Sequence, residues 1–154
     1  MESPRPVNAL SAPSHAGIEE RVRELAGQLS ACGTAPARLA WLIERARSRP
    51  SLPPEQRTDA RLLPGCLSRL WLAAEFRDGR CRFACDSDSQ IVRAVANLHC
   101  ELADDLPPAA ILAAPPDLPR RLGLDRLLTA SRRAAQSRVW EHIQNFARRH
   151  AAMT

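Results

Sequence analysis

A chain of 154 residues, 45% apolar and 25% charged, has enough material for one ordinary core and reads as a single soluble domain. Its net charge of +5 rests on 22 basic residues that are all arginine, so a lysine nucleophile or Schiff base is excluded. The arginines are interleaved with acids rather than gathered into a run, which fits solubility better than nucleic acid, and no nucleic-acid partner is expected. No segment approaches the ~18 apolar residues of a membrane span, and the first residues do not resemble a signal peptide. A cytoplasmic protein is therefore expected, with no membrane partner. Thiols are kept reduced there, so the five cysteines are not read as a disulfide framework.

Residues 1–16, with Pro4, Pro6 and Pro13 and no periodicity, read as a flexible lead-in to a domain over 17–151. Ile18, Val22, Leu25 and Leu29 form the stripe of an amphipathic helix that Gly33 ends. Leu39, Leu42, Ile43 and Ala46 mark a second helix, closed by Pro50 and Pro53-Pro54. Asp78-Gly79 is a two-residue hairpin turn. Pairing Arg77 with Arg80 sets Phe76 opposite Cys81, Ala74 opposite Phe83 and Leu72 opposite Cys85 on a wholly apolar face, with Glu75 opposite Arg82 on the other.

Ser87 and Gln90 have capping-box spacing, and Asp88 lies where a helix N-terminus favours negative charge. A helix striped by Ile91, Val95, Leu98 and Leu102 follows, stopped by Pro107-Pro108, with a short helical turn near Ala109 to Ala113. Thr129 or Ser131 caps a last helix carrying Ala135, Val139, Ile143 and Phe146. The expected fold class is α+β: a small antiparallel sheet of about three strands packed with N-terminal and C-terminal helices.

The cysteines sort by setting. Cys81 and Cys85 lie four residues apart on a strand, about 13 Å, too far to share one metal or one disulfide, and read as core. His99 and Cys100 diverge by about 100° on a helix, and Cys32 sits at a helix end with no other ligand type near it in sequence. No CxxC pair opens a zinc site, and no metal is expected. Cys66 differs, because Pro64-Gly65-Cys66 sets it at a turn before the first strand, where it can meet a visitor. Arg61 and Arg69 are near in sequence and able to favour the thiolate.

The run Leu63-Pro64-Gly65-Cys66-Leu67-Ser68-Arg69-Leu70-Trp71-Leu72 resembles the cysteine segment of the SufE/CsdE family of sulfur acceptors. Asp86-Ser87-Asp88 with Ile91-Val92 is similar to that family's helix entry, and Leu122-Gly123-Leu124 with Thr129, Ser131 and Arg132 to its last one. Trp41-Leu42-Ile43-Glu44 and Leu52-Pro53 extend the likeness upstream, over roughly 36–149 in all. Leu67, Ala94 and Ala135 depart from it, standing where glutamine, glycine and glycine are usual.

The resemblance implies a fold related to iron–sulfur scaffolds of the IscU type, and a carrier and activator more than an enzyme in its own right. Cys66 would accept persulfide sulfur from a SufS-like cysteine desulfurase and relay it to an iron–sulfur scaffold or another acceptor. Gly65 and Ser68 would shape the loop, and Asp88 and Arg132 would position loops or touch the partner. Pyridoxal phosphate would belong to that partner, with no cofactor in this chain, which would be a monomer or weak homodimer. A thiol redox sensor and a basic nucleic-acid-binding protein are the alternatives.

Overall fold

The computed structural model of the chain describes residues 14–152. Most of the expected lead-in, 1–13, lies outside the described residues. Helix α1 spans Ser14–Ala31 and buries Ile18, Val22, Leu25 and Leu29. Thr34 caps α2, Ala35–Arg47, by accepting from the Ala37 N–H, and Leu42 and Ala46 are its buried residues. Two short 3-10 turns, Pro54–Gln56 and Asp59–Arg61, lead to the hairpin β1, Leu70–Arg77, and β2, Arg80–Ser87.

The register is the one the alternation predicts, from Arg77 opposite Arg80 back to Leu72 opposite Cys85. Asp78 and Gly79 both take positive φ, 55° and 77°, the type I′ requirement that makes aspartate-glycine suit this turn. Among the described residues the sheet has two strands rather than about three. Each outer edge instead gains one isolated bridge, Leu62 with Trp71 and Cys81 with Leu106. Pairing cannot extend, because Pro64 and Gly65 turn the chain on one side and Asp105 (φ 62°) with Pro107 turns it on the other. Asp104 still accepts from the Phe83 N–H at 2.9 Å, so the edge of β2 is not left bare.

Helix α3, Gln90–Ala103, is the centre of the molecule: it packs on β2, on α2, and on the last helix α6, Ala130–Ala151. It is therefore buried nearly all round from Val92 to Ala103, with Cys100 facing the hairpin thiol Cys85. Its N-cap is Ser89, which accepts from the Val92 N–H at 3.2 Å, and not Ser87 as the capping-box spacing suggests. Ser87 is occupied elsewhere, accepting from the Ser89 N–H and donating to the Arg69 carbonyl. Arg21 of α1 donates to the carbonyls of Leu102 and Asp104, closing the C-terminal end of α3. The short helices α4, Pro108–Leu112, and α5, Leu118–Arg121, complete the core against α1 and α6. No helix among the described residues is long and apolar enough to cross a membrane.

His99 is fully buried on α3, its ring 6.2 Å from that of Trp140 on α6. Its Nδ1 lies 2.9 Å from the Val95 carbonyl, which can only accept, so the proton sits on Nδ1 and Nε2 is left without a partner. Burial pushes its pKa down to about 4. The unfolded chain binds this proton from about pH 6.5 downward and the folded one only near 4, so stability is fully present at neutral pH and declines across that window. Urea titrations are expected to show a loss on the order of 3 kcal/mol between these limits, and His99→Leu is expected to flatten the slope; an unchanged slope in the variant assigns the loss to other groups.

Candidate functional site

Cys66 lies on the connection from the second 3-10 turn to β1, where the chain passes under the start of α6. Gly65 takes φ +82°, a conformation that L side chains rarely adopt, and this swings Cys66 toward the body of the protein. The cysteine is half-buried and packs against the core. It opens onto a hollow of about 340 Å³ that Leu67, Ser68, Val92, Thr129, Ser131, Arg132 and Ala135 also line. Inward of the hollow, α3 and α6 close up around Val92, Val95, Ala135 and Val139 too tightly to admit water.

The sequence-predicted residues Cys66, Ser68 and Arg132 are thus brought together, as are two positions that depart from the family pattern, Leu67 and Ala135. Ala94, the third, is buried in α3 away from this surface. Leu67 is 87% exposed and is the one large hydrophobic side chain among the described residues with no cover.

Asp88 does not line the hollow. Its carboxylate accepts from the Arg69 N–H at 3.1 Å, while its own N–H and the Ser87 hydroxyl donate to the Arg69 carbonyl at 3.3 and 2.6 Å. The backbone of Arg69 is therefore held on both sides, which fixes the exit of the Cys66 loop. Asp86, the first residue of the same motif, is buried between Arg57 at 2.7 Å and Arg93 at 3.1 Å. Arg57 also donates to the Leu52 carbonyl and lies over Trp71, strapping the segment before Cys66 onto the hairpin. One acidic corner thus anchors the chain on both flanks of the cysteine.

The electrostatics differ from the sequence-based expectation. Arg61 donates to the Gln56 carbonyl of the preceding 3-10 turn, and neither it nor Arg69 is the cation that acts on Cys66. That cation is Arg138 of α6, which sequence proximity misses. The signal that finds it is helical spacing: Ala135 lines the hollow, and Arg138 is one turn further along the same helix. Burial pushes the Cys66 thiol up, and Arg138 partly opposes it.

The other thiols are placed for packing. Cys81, Cys85 and Cys100 are fully buried, and a hydrogen bond to Cys100 together with burial raises Cys85 well above the ordinary thiol range. Cys32, just past the end of α1, is half-exposed and donates to the Gln28 carbonyl of that helix. Among the described residues no group of three or more His, Cys, Asp or Glu side chains converges to hold a metal ion.

Comparison with known proteins places this geometry. The model of the family described as SufE, Fe-S metabolism associated domain, matches residues 23–147. The chain is 32% identical over 76 residues to the chloroplastic quinolinate synthase of Arabidopsis thaliana, covering 49% of this chain and 11% of that one. It is 29% identical over 93 residues to an uncharacterized SufE-like protein of Synechocystis, covering 60% and 58% respectively. These alignments span about a tenth and somewhat over half of the two relatives. The fold is shared with the solution structure of a hypothetical protein from Thermus thermophilus, with a TM-score of 0.71 and 21% identity over 86% of this chain and 96% of that one. A family match that takes in the hairpin, the Cys66 loop and all but the end of the last helix means that the chain belongs to the SufE family, the Fe-S metabolism associated domain.

Proposed function

We propose that this protein accepts sulfur from a cysteine desulfurase on Cys66, stimulates that enzyme by relieving it of its persulfide, and relays the sulfur toward iron–sulfur cluster assembly or a related acceptor. The observation that carries this reading is the setting of Cys66: a half-buried thiol at the mouth of an open hollow, beside the bare Leu67, on a loop anchored at both flanks. The partner desulfurase supplies the pyridoxal phosphate; this chain has no lysine to hold it as a Schiff base.

The transfer needs little acid–base machinery. The Cys66 thiolate attacks the outer sulfur of the partner's cysteine persulfide, the old sulfur–sulfur bond breaks, and the partner's cysteine leaves as a thiolate. The outer sulfur stays on Cys66 as a persulfide, with no net gain or loss of electrons. Burial keeps the resting thiol largely protonated, so the free protein is a slow nucleophile until docking changes the surroundings of the loop. Leu67 supplies the apolar contact, since burying one leucine against a partner contributes about 1.5–3 kcal/mol. The same sequence region occurs within two chloroplastic quinolinate synthases, of which it spans 11% and 14%.

A desulfurase assay tests the reading. Alanine release from cysteine is expected to rise several-fold on adding the protein and to fall to the unstimulated level with Cys66→Ser. With Leu67→Asp, half-maximal stimulation is expected at a concentration at least ten-fold higher, about 1.4 kcal/mol of lost docking. If Cys66→Ser stimulates as well as the unaltered chain, the reading fails. Asp88→Ala frees the Arg69 backbone and is expected to cost about 1 kcal/mol of stability in a denaturant titration and to raise the rate of Cys66 alkylation; a variant as stable and as slowly alkylated as the parent removes Asp88 from any role in holding the loop.

A further inference from the structure

Arg138 is an arginine without an acid. Arg45 meets Glu101, Arg57 and Arg93 meet Asp86, and Arg121 meets Glu19, whereas the Arg138 guanidinium makes no hydrogen bond or ion pair among the described residues. It is laid instead on the glycine that precedes the site thiol. A Cβ built on Gly65 would lie 2.6 Å from Arg138 Cζ, 2.7 Å from Nη2 and 2.9 Å from Nε, closer than real Cβ atoms come to non-bonded neighbours. Glycine at 65 therefore does two things: it permits φ +82°, and it leaves room for a guanidinium against the loop backbone.

The guanidinium keeps its five N–H donors uncommitted within electrostatic reach of Cys66, and these favour an anion there. The other groups around the thiol do not compete for the role. The cap Thr129 and Ser131 are neutral, and Arg132 lines the hollow but is not the charge that acts on the thiol; α3 presents Val92; on the loop, Ser68 is neutral and the Arg69 backbone is bound to the Asp88 carboxylate.

We propose that Arg138 is the counter-ion of the sulfur anion carried at position 66, thiolate before transfer and persulfide after it, reaching it across the gap that Gly65 leaves open. The persulfide half rests on the function proposed above; the thiolate half does not. In chemical terms, the thiolate attacks the outer sulfur of the donor R–S–SH, R–S⁻ departs, and Cys66–S–SH then loses its proton to solvent. The negative charge thus begins and ends beside the same guanidinium. A cation at this point favours the ionised form on both sides of the transfer without taking a proton itself.

The test is the pH profile of Cys66 alkylation by iodoacetamide in the free protein, followed site by site by mass spectrometry, in the parent chain, Arg138→Met and Arg138→Lys. Methionine keeps much of the apolar stem and drops the charge. Its profile is expected to move to higher pH, with the rate near neutrality at least about two-fold lower at low salt and the difference shrinking in high salt. Lysine keeps the charge and is expected to restore most of the parent profile. A role limited to packing predicts that Met and Lys behave alike; that result, or a Met profile superimposing on the parent, overturns the proposal. Because no desulfurase is present, a parent chain that fails to stimulate alanine release while Arg138→Met still shifts the profile sinks the sulfur-acceptor reading and leaves the counter-ion standing.

Discussion

The structure around the site depends on one corner, Asp86-Ser87-Asp88, where β2 hands over to α3. Asp88 and Ser87 grip the two backbone polar groups of Arg69, and Asp86 is buried between Arg57 and Arg93. Asp86, nearly out of water, would be costly to leave unpaired there, whereas Asp88 is exposed and acts through its hydrogen bond to the Arg69 N–H. The corner therefore fixes where the chain enters and leaves the Cys66 loop, while leaving the turn itself to be shaped by Pro64, Gly65 and the face of α6. A thiol whose flanks are anchored and whose own residue is not hydrogen-bonded has a defined address and local freedom, the combination that a transfer between two protein sulfurs requires.

The chemistry of the loop is a contest between burial and charge. Burial raises the thiol, Arg138 lowers it, and burial is the larger effect. A resting sulfur that is mostly protonated is protected from adventitious oxidation, because the thiolate is the reactive species. The cost is a slow nucleophile, which the function proposed above would tolerate if docking covers Leu67 and the hollow. Belonging to the SufE family ties the chain to iron–sulfur metabolism in general. The departures Leu67 and Ala135 line the hollow itself, so the surface presented to a partner is this chain's own.

The sequence was most legible where local physics has few solutions. The hairpin register follows from a two-residue turn and strict alternation, and all its predicted pairs are present. The helical stripes of α1 and α6 hold because apolar spacing alone decides which face is buried. Legibility failed where two groups of one type compete or where tertiary contact decides. Ser87 and Ser89 both suit a cap, and only the demand of the Arg69 carbonyl on Ser87 resolves the choice. The third strand was lost because Pro64 and Asp105 stop pairing after a single bridge on either edge. Arg61 and Arg69 are near Cys66 in sequence, yet the charge that acts on it comes from α6 and lies against Gly65, and helical spacing from Ala135 finds it only once packing has set α6 over the loop.

The central claim is that a single sulfur lands on a single residue, and an intact-mass measurement reads it directly. After incubation with a cysteine desulfurase and cysteine, without reductant, the chain is expected to gain about 32 Da, localised by peptide mapping to Cys66, removed by a thiol reductant and absent from Cys66→Ser. No added mass, or the same gain on the Cys66→Ser chain, would contradict the account.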